Sequence, residues 1–267
     1  MSDDGETDDA FFKRVKEQLV DSGLPLELGT FLILDKNGWY VEPNVFYSDI
    51  ESDNKREIDL IAKKRADDIG RTTYERILII ECKKNASKPW VFFKQEKVSP
   101  FVSDLNIIQY GNCEAGFGFW DMTICKGAHH FCKYPIHTCS LVPFSNRNES
   151  KQVFDAVEQV LSALSFYANR AQRQLAEIDR DHCPPHLEVV YPVIVFDGRL
   201  LSASMNGDEI HLEDTPVIHY RIYNELTNQT PLIIAAPDRC TFTTFKSYII
   251  SIIRKDHFEE YIQKWFG

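Results

Sequence analysis

The sequence predicts an α/β domain in which a mixed central sheet is flanked by helices. Three features favour this class: apolar residues at helical spacing near the N-terminus, β-branched and aromatic runs within residues 39–83, and a long apolar stripe over residues 150–178. At 267 residues, of which 43% are hydrophobic, the chain can bury a large core. We expect one domain over residues 10–267, with its core over about residues 24–200 and an elaboration over about residues 200–267.

Two helices are predicted at the start of the domain. Apolar residues from Phe11 to Leu19 recur at helical spacing until Asp21-Ser22-Gly23 breaks the pattern. A second apolar stretch runs from Leu24 to Leu34 and ends at Asn37-Gly38. Ahead of both helices, residues 1–9 are acidic and polar, and we expect a flexible tail there.

Three strands are predicted next. The segments Trp39–Tyr47, Arg56–Ala62 and Arg76–Lys83 are rich in the aromatic and β-branched residues that are typical of strands. The polar segment Ser48–Lys55 suits a hairpin turn. The segment Lys63–Thr73 is basic and then acidic, and it is predicted as a loop.

The rest of the chain holds one strongly patterned helix and several shorter elements. Ser150–Ile178 carries a continuous apolar stripe and is predicted as a helix. Asp197-Gly198 predicts a hairpin turn between two strands. The other predicted elements are a helix at residues 104–110, strands at 189–196, 200–203, 217–223 and 232–236, and a C-terminal helix that carries Phe245, Tyr248, Ile249, Ile252 and Ile253.

The charge and the termini restrict the setting in which the protein can act. The formal net charge is −10, which argues against strong nonspecific binding of duplex DNA by an isolated monomer. The N-terminus lacks the basic and apolar regions of a signal peptide, and no apolar run approaches the ~20 residues of a membrane helix. We therefore expect a cytoplasmic protein without membrane contact, with its seven cysteines reduced.

Charged residues on two of the predicted strands form the pattern that bears most on function. Side chains alternate between the two faces of a strand, so Glu81 and Lys83 should share one face. Asp59 lies in the middle of the preceding strand, with Ile58 and Leu60 pointing away from it. If the two strands pair, two carboxylates and one ammonium group meet at one point.

Two carboxylates and an ammonium group suit the hydrolysis of a phosphodiester. A hard cation such as Mg²⁺ or Mn²⁺ takes oxygen ligands, which Asp59 and Glu81 would supply. The backbone carbonyl of Cys82 offers a further ligand. The cation polarises a phosphoryl oxygen and lowers the pKa of a bound water. Lys83 would orient or deprotonate that water and offset the developing charge.

Asp59 followed by Glu81-Cys82-Lys83 resembles the pattern of the PD-(D/E)xK nucleases. The resemblance covers roughly residues 24–84, and Ile58 stands where the family has a proline. It implies a restriction-endonuclease-like core and a magnesium-dependent nuclease, with DNA as the expected substrate and RNA as an open alternative. Asp59 and Glu81 would then be the metal ligands, and Lys83 would act on the nucleophile.

The same resemblance implies a further metal-holding residue on a helix. Many relatives carry a glutamate on the helix before the first strand, and Glu27 is the candidate here. Glu17, on the earlier helix, is the competitor. Cutting both strands of a duplex generally takes two centres and this chain offers one, so we also expect a homodimer or a partner protein.

Two other interpretations of the charged pattern stay open. Glu-x-Lys arises by chance in many proteins, and its charges could simply face solvent on a half-buried sheet. Against this, Ile77–Ile80 is apolar on both faces, and charges that end a central strand are costly unless they bind something. Alternatively, the chain is an inactive nuclease-fold module that binds nucleic acid or a partner protein. A titration of divalent metal with DNA separates this module from an enzyme.

A run of lysines after the proposed centre is a candidate for contact with nucleic acid. Lys84, Lys88 and Lys94, with Lys83 before them and Lys97 after them, are interleaved with Trp90, Phe92 and Phe93. Such a run suits a groove in which lysines meet phosphates and an aromatic ring stacks on a base. A solvated face above core aromatic residues fits the same pattern equally well.

The segment from Cys125 to Cys139 is crowded with cysteine and histidine. Zinc uses these residue types, but their spacing matches no familiar Cys-x-x-Cys pair, and both residue types also serve as ordinary packing residues. Gln109 is a candidate neighbour of the active site, with a surface polar residue as the alternative. The candidate zinc ligands are Cys125, His129, His130, Cys132, His137 and Cys139.

Overall fold

The computed structural model describes residues 8–48, 54–69, 72–95, 106–110, 135–144, 151–177, 186–223 and 247–267. The helices are α1 (Asp8–Asp21), α2 (Leu24–Lys36), α3 (Gln152–Glu177) and α4 (Phe258–Phe266), with a 3-10 turn at Lys255–His257. The strands are β1 (Tyr40–Ser48), β2 (Lys55–Ile69), β3 (Thr72–Gln95), β4 (Asn106–Tyr110), β5 (Ile136–Leu141), β6 (His186–Asn206), β7 (Glu209–Asp214), β8 (Val217–Tyr223) and β9 (Ser247–Arg254).

Nine strands of the described residues form one mixed sheet, so the predicted α/β class with a mixed sheet and helices is confirmed. Strands β1, β2 and β3 pair antiparallel in chain order. Strand β6 then pairs parallel to β3 along almost its whole length. Further pairings run from β6 to β9, from β9 to β8, from β8 to β5 and from β5 back to β3, which closes a circuit of five strands.

Apolar side chains on both faces of the sheet build two core clusters. One cluster packs against α3 and the other against α2 and α4. Along β3 the faces alternate, since Ile77 and Ile79 belong to the first cluster while Leu78 and Ile80 belong to the second. Burial of each such side chain contributes about 1.5–3 kcal/mol. A strand with both faces buried and partners on both edges is the centre of the fold.

The predicted helices over Phe11–Leu19, Leu24–Leu34 and Ser150–Ile178 are confirmed as α1, α2 and α3. Helix α1 begins at Asp8, so the last two residues of the predicted tail are helical. None of its residues, all of which the structure describes, is buried. Within the described ranges, no helix combines the length and the apolar character needed to cross a membrane.

Two predictions in the first half of the chain are wrong. The predicted loop Lys63–Thr73 is mostly strand, because β2 continues to Ile69 and β3 begins at Thr72. Two of the lysines of this part have partners, since Lys63 donates to Glu42 and Lys64 donates to the Phe266 carbonyl at the end of α4. The helix predicted at residues 104–110 is wrong, because residues 106–110 form strand β4, which pairs with the start of β6.

The second half also departs from the prediction. The predicted hairpin at Asp197-Gly198 does not exist, because β6 runs through it without turning. The predicted C-terminal helix through Ile249 and Ile253 is strand β9, whose β-branched residues suit a sheet buried on both faces. Strands β8 and β9 lie within the circuit, so these C-terminal residues share the core instead of elaborating it. Phe245 and the predicted strand at residues 232–236 lie outside the described residues.

Gly198 is a point of close approach between two strands. It lies opposite Asn85 in the β3–β6 ladder. A Cβ atom there would stand 2.6 Å from the Asn85 carbonyl oxygen and 2.5 Å from the Cζ atom of Phe196. Phe196 cannot easily move aside, since its ring stacks on that of Trp90 at a centroid distance of 4.1 Å.

We predict that Gly198→Ala lowers the free energy of unfolding by about 1–3 kcal/mol, the usual cost of overpacking a core. The measurement is urea denaturation of the full chain. Gly29→Ala is the matched control, because a Cβ there meets nothing within 4 Å and alanine favours a helix. Equal stability of the two variants would contradict the close approach of β3 and β6.

Candidate active site

Asp59 is fixed at the place where the paired part of β2 and β3 ends. The paired residues run up to Leu60 opposite Ile80. One residue further, the Oδ2 atom of Asp59 accepts a 2.6 Å hydrogen bond from the backbone N–H of Cys82. The carboxylate takes the place that a backbone carbonyl fills in a regular ladder. This bond holds the Asp59 side chain against the backbone next to Glu81.

The regular alternation of β2 breaks at Asp59. Ile58 and Leu60 belong to different core clusters, so the prediction that both point away from Asp59 on one face is wrong. The cause lies across the ladder in β1, where Asn44 stands between the residues that pair with Ile58 and Leu60. Asn44 has a φ of +52°, in the left-handed region, which kinks β1 at this level.

Glu81 is a buried carboxylate with one bonded oxygen. The residue is 2% exposed, on a strand with neighbours on both sides. Its Oε1 atom accepts a 2.5 Å hydrogen bond from the Nζ atom of Lys83. Its Oε2 atom has no hydrogen-bond partner among the described residues. Burial, and then the charge of Asp59, raise the pKa of Glu81 to about 7 although Lys83 opposes the rise.

Glu27 and Asp59 share this electrostatic environment. Burial raises the pKa of Asp59, while the Cys82 N–H and the Lys83 charge oppose the rise. Burial, followed by the charges of Asp59 and Glu57, raises the pKa of Glu27 as well. Each carboxylate thus makes it harder for the others to ionise. Glu27, Asp59, Glu81 and Lys83 lie close enough for their charges to interact, and we call these four residues the carboxylate cluster.

Helix α2 places Glu27 at this cluster. Its residues Leu26, Thr30 and Leu34, at helical spacing, are buried against the sheet. The Cys82 thiol contacts the Thr30 hydroxyl at 3.8 Å, which ties the helix to β3. Glu27 follows Leu26 in the first turn and therefore sits at the margin of the buried face. The competing candidate, Glu17, is exposed on α1.

The carboxylates do not form a closed metal site within the part of the chain that the structure describes. Among the described residues, no three His, Cys, Asp or Glu side chains converge into a ready metal site. A cation would nevertheless offset the mutual repulsion of the carboxylates and give the Oε2 atom of Glu81 a partner. Burial raises the pKa of the Cys82 thiol well above its ordinary value, so only its backbone carbonyl suits a hard cation.

The three candidate lysines do not form one groove beside the carboxylates. Lys84 donates to the Val20 carbonyl at the end of α1. Lys88 lies in the part of β3 where the ladder with β6 is irregular, and its backbone N–H donates a hydrogen bond to the Asn85 side chain. Lys94 follows Phe93, whose partner Ala203 lies six residues, or roughly 20 Å, along β6 from Asp197, the partner of Lys84. Each lysine therefore meets a different surface of the molecule.

The aromatic residues between these lysines belong to the core. Trp90 and Phe92 are fully buried, which agrees with the interpretation of core aromatic residues beneath a solvated face. Trp90 stacks on Phe196, and Phe92 packs edge-on against Tyr220. They cannot stack on a base in this arrangement, so the idea that they line a nucleic-acid groove is wrong.

The proposed zinc segment is described only at its C-terminal end. His137 is buried, shares a 2.9 Å hydrogen bond with the Ser202 hydroxyl, and burial lowers its pKa to about 4. Cys139 is exposed, so these two residues lie in different environments. Gln109 lies on β4 opposite Leu187. Cys125, His129, His130 and Cys132 lie outside the described residues.

Sequence reasoning missed two residues next to the cluster. Glu57, exposed on β2, adds negative charge that raises the pKa of both Glu27 and Asp59. Asn44, on β1, stands across from Asp59 with its left-handed backbone. The signal for Asn44 was in the sequence, because Pro-Asn inside an otherwise regular strand favours an edge strand with a local distortion.

Comparisons with known proteins give no direct indication of what the site does. No family model, no curated protein and no solved structure matches this chain. A function for the cluster of Glu27, Asp59, Glu81 and Lys83 is therefore inferred from the chemistry of these residues.

The raised pKa of Glu81 predicts a pH-dependent loss of stability. Below pH 4.5 the carboxyl is protonated in the folded and the unfolded chain and contributes nothing. As the pH rises from 4.5 to about 7, the unfolded chain releases the proton that the folded chain retains. Stability therefore falls over this range, by up to about 3 kcal/mol from this group.

We predict that the stability of Glu81→Gln relative to the unsubstituted chain rises with pH between about 5 and 7 and then levels off. The measurement is urea denaturation across this pH range in EDTA. Glu213→Gln, an exposed carboxylate on β7, is the control and should show no such trend. A flat difference for Glu81→Gln would mean that Glu81 ionises as freely as an exposed carboxyl.

Proposed function

We propose that the chain is a magnesium-dependent nuclease of the PD-(D/E)xK type that hydrolyses phosphodiester bonds, with DNA as its expected substrate. One observation carries the proposal. Three carboxylates and one lysine from α2, β2 and β3 share a single cluster, and Glu81 keeps a buried oxygen without a partner among the described residues. Burying ionisable groups in this way is costly, and it is common at sites that bind ions or perform catalysis.

The order of the elements supports a restriction-endonuclease-like core. Helix α2, which carries Glu27, precedes β1, while Asp59 lies on β2 and Glu81 and Lys83 lie on β3. Strands β4 and β5 and helix α3 then lie between β3 and β6, its parallel neighbour. The resemblance predicts this arrangement of the metal-binding residues on the helix, the second strand and the third strand.

Asp59 and Glu81 would hold the cation, with the Cys82 carbonyl as a further ligand and Glu27 at the margin. Mg²⁺ suits this set because it prefers oxygen ligands, and Mn²⁺ shares the preference. When bound, the cation polarises a phosphoryl oxygen and lowers the pKa of a bound water. Asp59 contributes a carboxylate whose position is already fixed by the Cys82 N–H.

Lys83 would act on the attacking water and on the charge that develops at the phosphorus. Its ammonium group now contacts Glu81, whose burial keeps the pair close together. A lysine next to the reacting phosphate can orient or deprotonate water and stabilise negative charge that grows in the transition state. Because Lys83 and Glu81 lie two residues apart on β3, one short segment presents both groups.

A non-catalytic module that binds nucleic acid or a partner protein is the second candidate. The net charge of −10 and the absence of a closed metal site among the described residues favour it. Against it stands the complete set of Asp59, Glu81 and Lys83, which a module without activity has no need to keep. RNA is the alternative substrate. For duplex DNA we propose that a homodimer or a partner protein supplies the second centre.

We predict that Asp59→Asn, Glu81→Gln and Lys83→Ala each reduce DNA cleavage in Mg²⁺ by at least ~100-fold. The assay follows nicking and linearisation of a supercoiled plasmid by the purified full chain, with EDTA as the metal-free arm. Double variants should be hardly worse than single ones, because residues that act as one unit give non-additive losses. Glu213→Gln, on exposed β7, should cleave normally. Full activity of Asp59→Asn, or cleavage that persists in EDTA, would contradict the proposal.

Glu27→Gln and Glu17→Gln form a second pair of test and control variants. We predict that Glu27→Gln raises the Mg²⁺ concentration needed for half-maximal cleavage several-fold, because one carboxylate of the cluster is lost. Its free energy of unfolding should change little. Glu17→Gln, exposed on α1, should leave the metal requirement unchanged. The reverse pattern would assign the helix carboxylate to Glu17.

A further inference from the structure

A groove of about 540 Å³ opens beside the carboxylates, between α2 and the kinked part of β1. Leu24, Leu28 and Phe31 contribute to its apolar wall. Its polar members are Glu27, Asn44 and Asp59. The groove and the carboxylate cluster therefore share two residues, and a ligand in one lies next to a ligand in the other. The volume is within the range of small-molecule sites, which is roughly 300–1,000 Å³.

Asn44, which lines this groove, has an energetically unfavourable backbone conformation. Residues other than glycine are uncommon at positive φ, and asparagine is among the few that tolerate it. The residue is exposed and lines the groove directly across the ladder from Asp59. Its amide offers both a hydrogen-bond donor and an acceptor, which is the combination that the edge of a nucleobase requires.

We propose that this groove binds an unpaired nucleobase of the strand whose phosphodiester lies at the carboxylates, with Asn44 as a residue that contacts the base. The inference rests on the proposed function. An apolar wall with one aromatic ring suits the flat face of a base, and stacking of this kind tolerates any sequence. A base in a duplex is stacked on both faces and paired at its edge, so it cannot enter. The substrate class is therefore single-stranded or locally unpaired nucleic acid.

The acidic floor of the groove favours a nucleotide over a protein segment. An apolar peptide that filled the groove would remove from water the carboxylates of Asp59 and Glu27, which form part of its lining. A nucleotide brings a phosphate whose divalent counterion would offset those charges. A centre that acts on one unpaired strand also needs no second copy, so a requirement for a dimer would apply to duplex substrates alone.

The test compares binding of four probes to the full chain carrying Lys83→Ala, in Mg²⁺. The probes are a fluorescent single-stranded 12-mer of DNA, the same sequence as RNA, the DNA duplex, and an abasic DNA strand of equal length. We expect a single-stranded probe to bind at least ~10-fold more tightly than the duplex and about 10-fold more tightly than the abasic strand. The DNA and RNA arms identify which of the two sugars the site accepts.

Two exposed leucines on α2 give a matched pair of variants. Leu28 is 59% exposed and lines the groove, whereas Leu32 is 55% exposed and does not. Leu28→Ser should raise the dissociation constant for the single strand about 10-fold, and Leu32→Ser should leave it unchanged. Asn44→Gly keeps a residue that accepts positive φ but removes the amide. It should weaken binding about 5-fold without lowering the unfolding midpoint, whereas a purely structural Asn44 would give unchanged binding.

Duplex binding as tight as that of the single strands, or equal affinities for the Leu28 and Leu32 variants, would overturn the inference. The inference would also be overturned if Leu28→Ser changed the oligomeric state of the chain but not its affinity for the single strand. That result would assign the groove to a protein partner. The two proposals can fail separately. Groove-dependent binding without Asp59-dependent cleavage supports the groove and refutes the nuclease. Asp59-dependent cleavage together with equal affinities of the Leu28→Ser and Leu32→Ser variants supports the nuclease and refutes the groove.

Discussion

The burial of Glu81 in the central strand is the constraint around which the site is organised. A carboxylate removed from water is costly unless its oxygens find partners, and Lys83 satisfies one oxygen while the other has none among the described residues. Asp59 cannot relieve this, because its own carboxylate is negative and is tied to the Cys82 N–H. Glu27 adds a third carboxylate from α2. The arrangement is unfavourable for the chain alone, and the proposed divalent cation would offset the charge of the three carboxylates.

The place of β3 at the centre of the sheet determines the position of Glu81. Strand β3 has β2 on one edge and β6 on the other at the level of the site, and both of its faces are covered by core clusters. The circuit through β9, β8 and β5 joins the C-terminal strands to the same framework. A side chain at the end of the apolar run Ile77–Ile80 is therefore held rigidly, which a catalytic group needs.

The proximity of Asp59, Glu81 and Lys83 could be inferred from the sequence because it depends on local rules. Alternation along one strand places Glu81 with Lys83, and one hairpin connection brings Asp59 beside them. The errors arose where distant partners decide the structure. Gly198 resembles a hairpin residue locally, yet it serves the close approach of Asn85 from another strand. The residues of β9 fit helical spacing, but the neighbouring strands β6 and β8 select the extended form.

If the cluster exists to hold a cation, the ionisation of Glu81 should report it. The decisive measurement is a carbon-13 NMR titration of the Glu81 carboxyl in the full chain, in EDTA and in Mg²⁺. We expect a pKa of about 7 without metal, as burial and the charge of Asp59 dictate. With Mg²⁺ the pKa should fall below the ordinary glutamate range, because the cation stabilises the ionised form. An ordinary pKa in EDTA, or a raised pKa that Mg²⁺ leaves unchanged, would contradict the account.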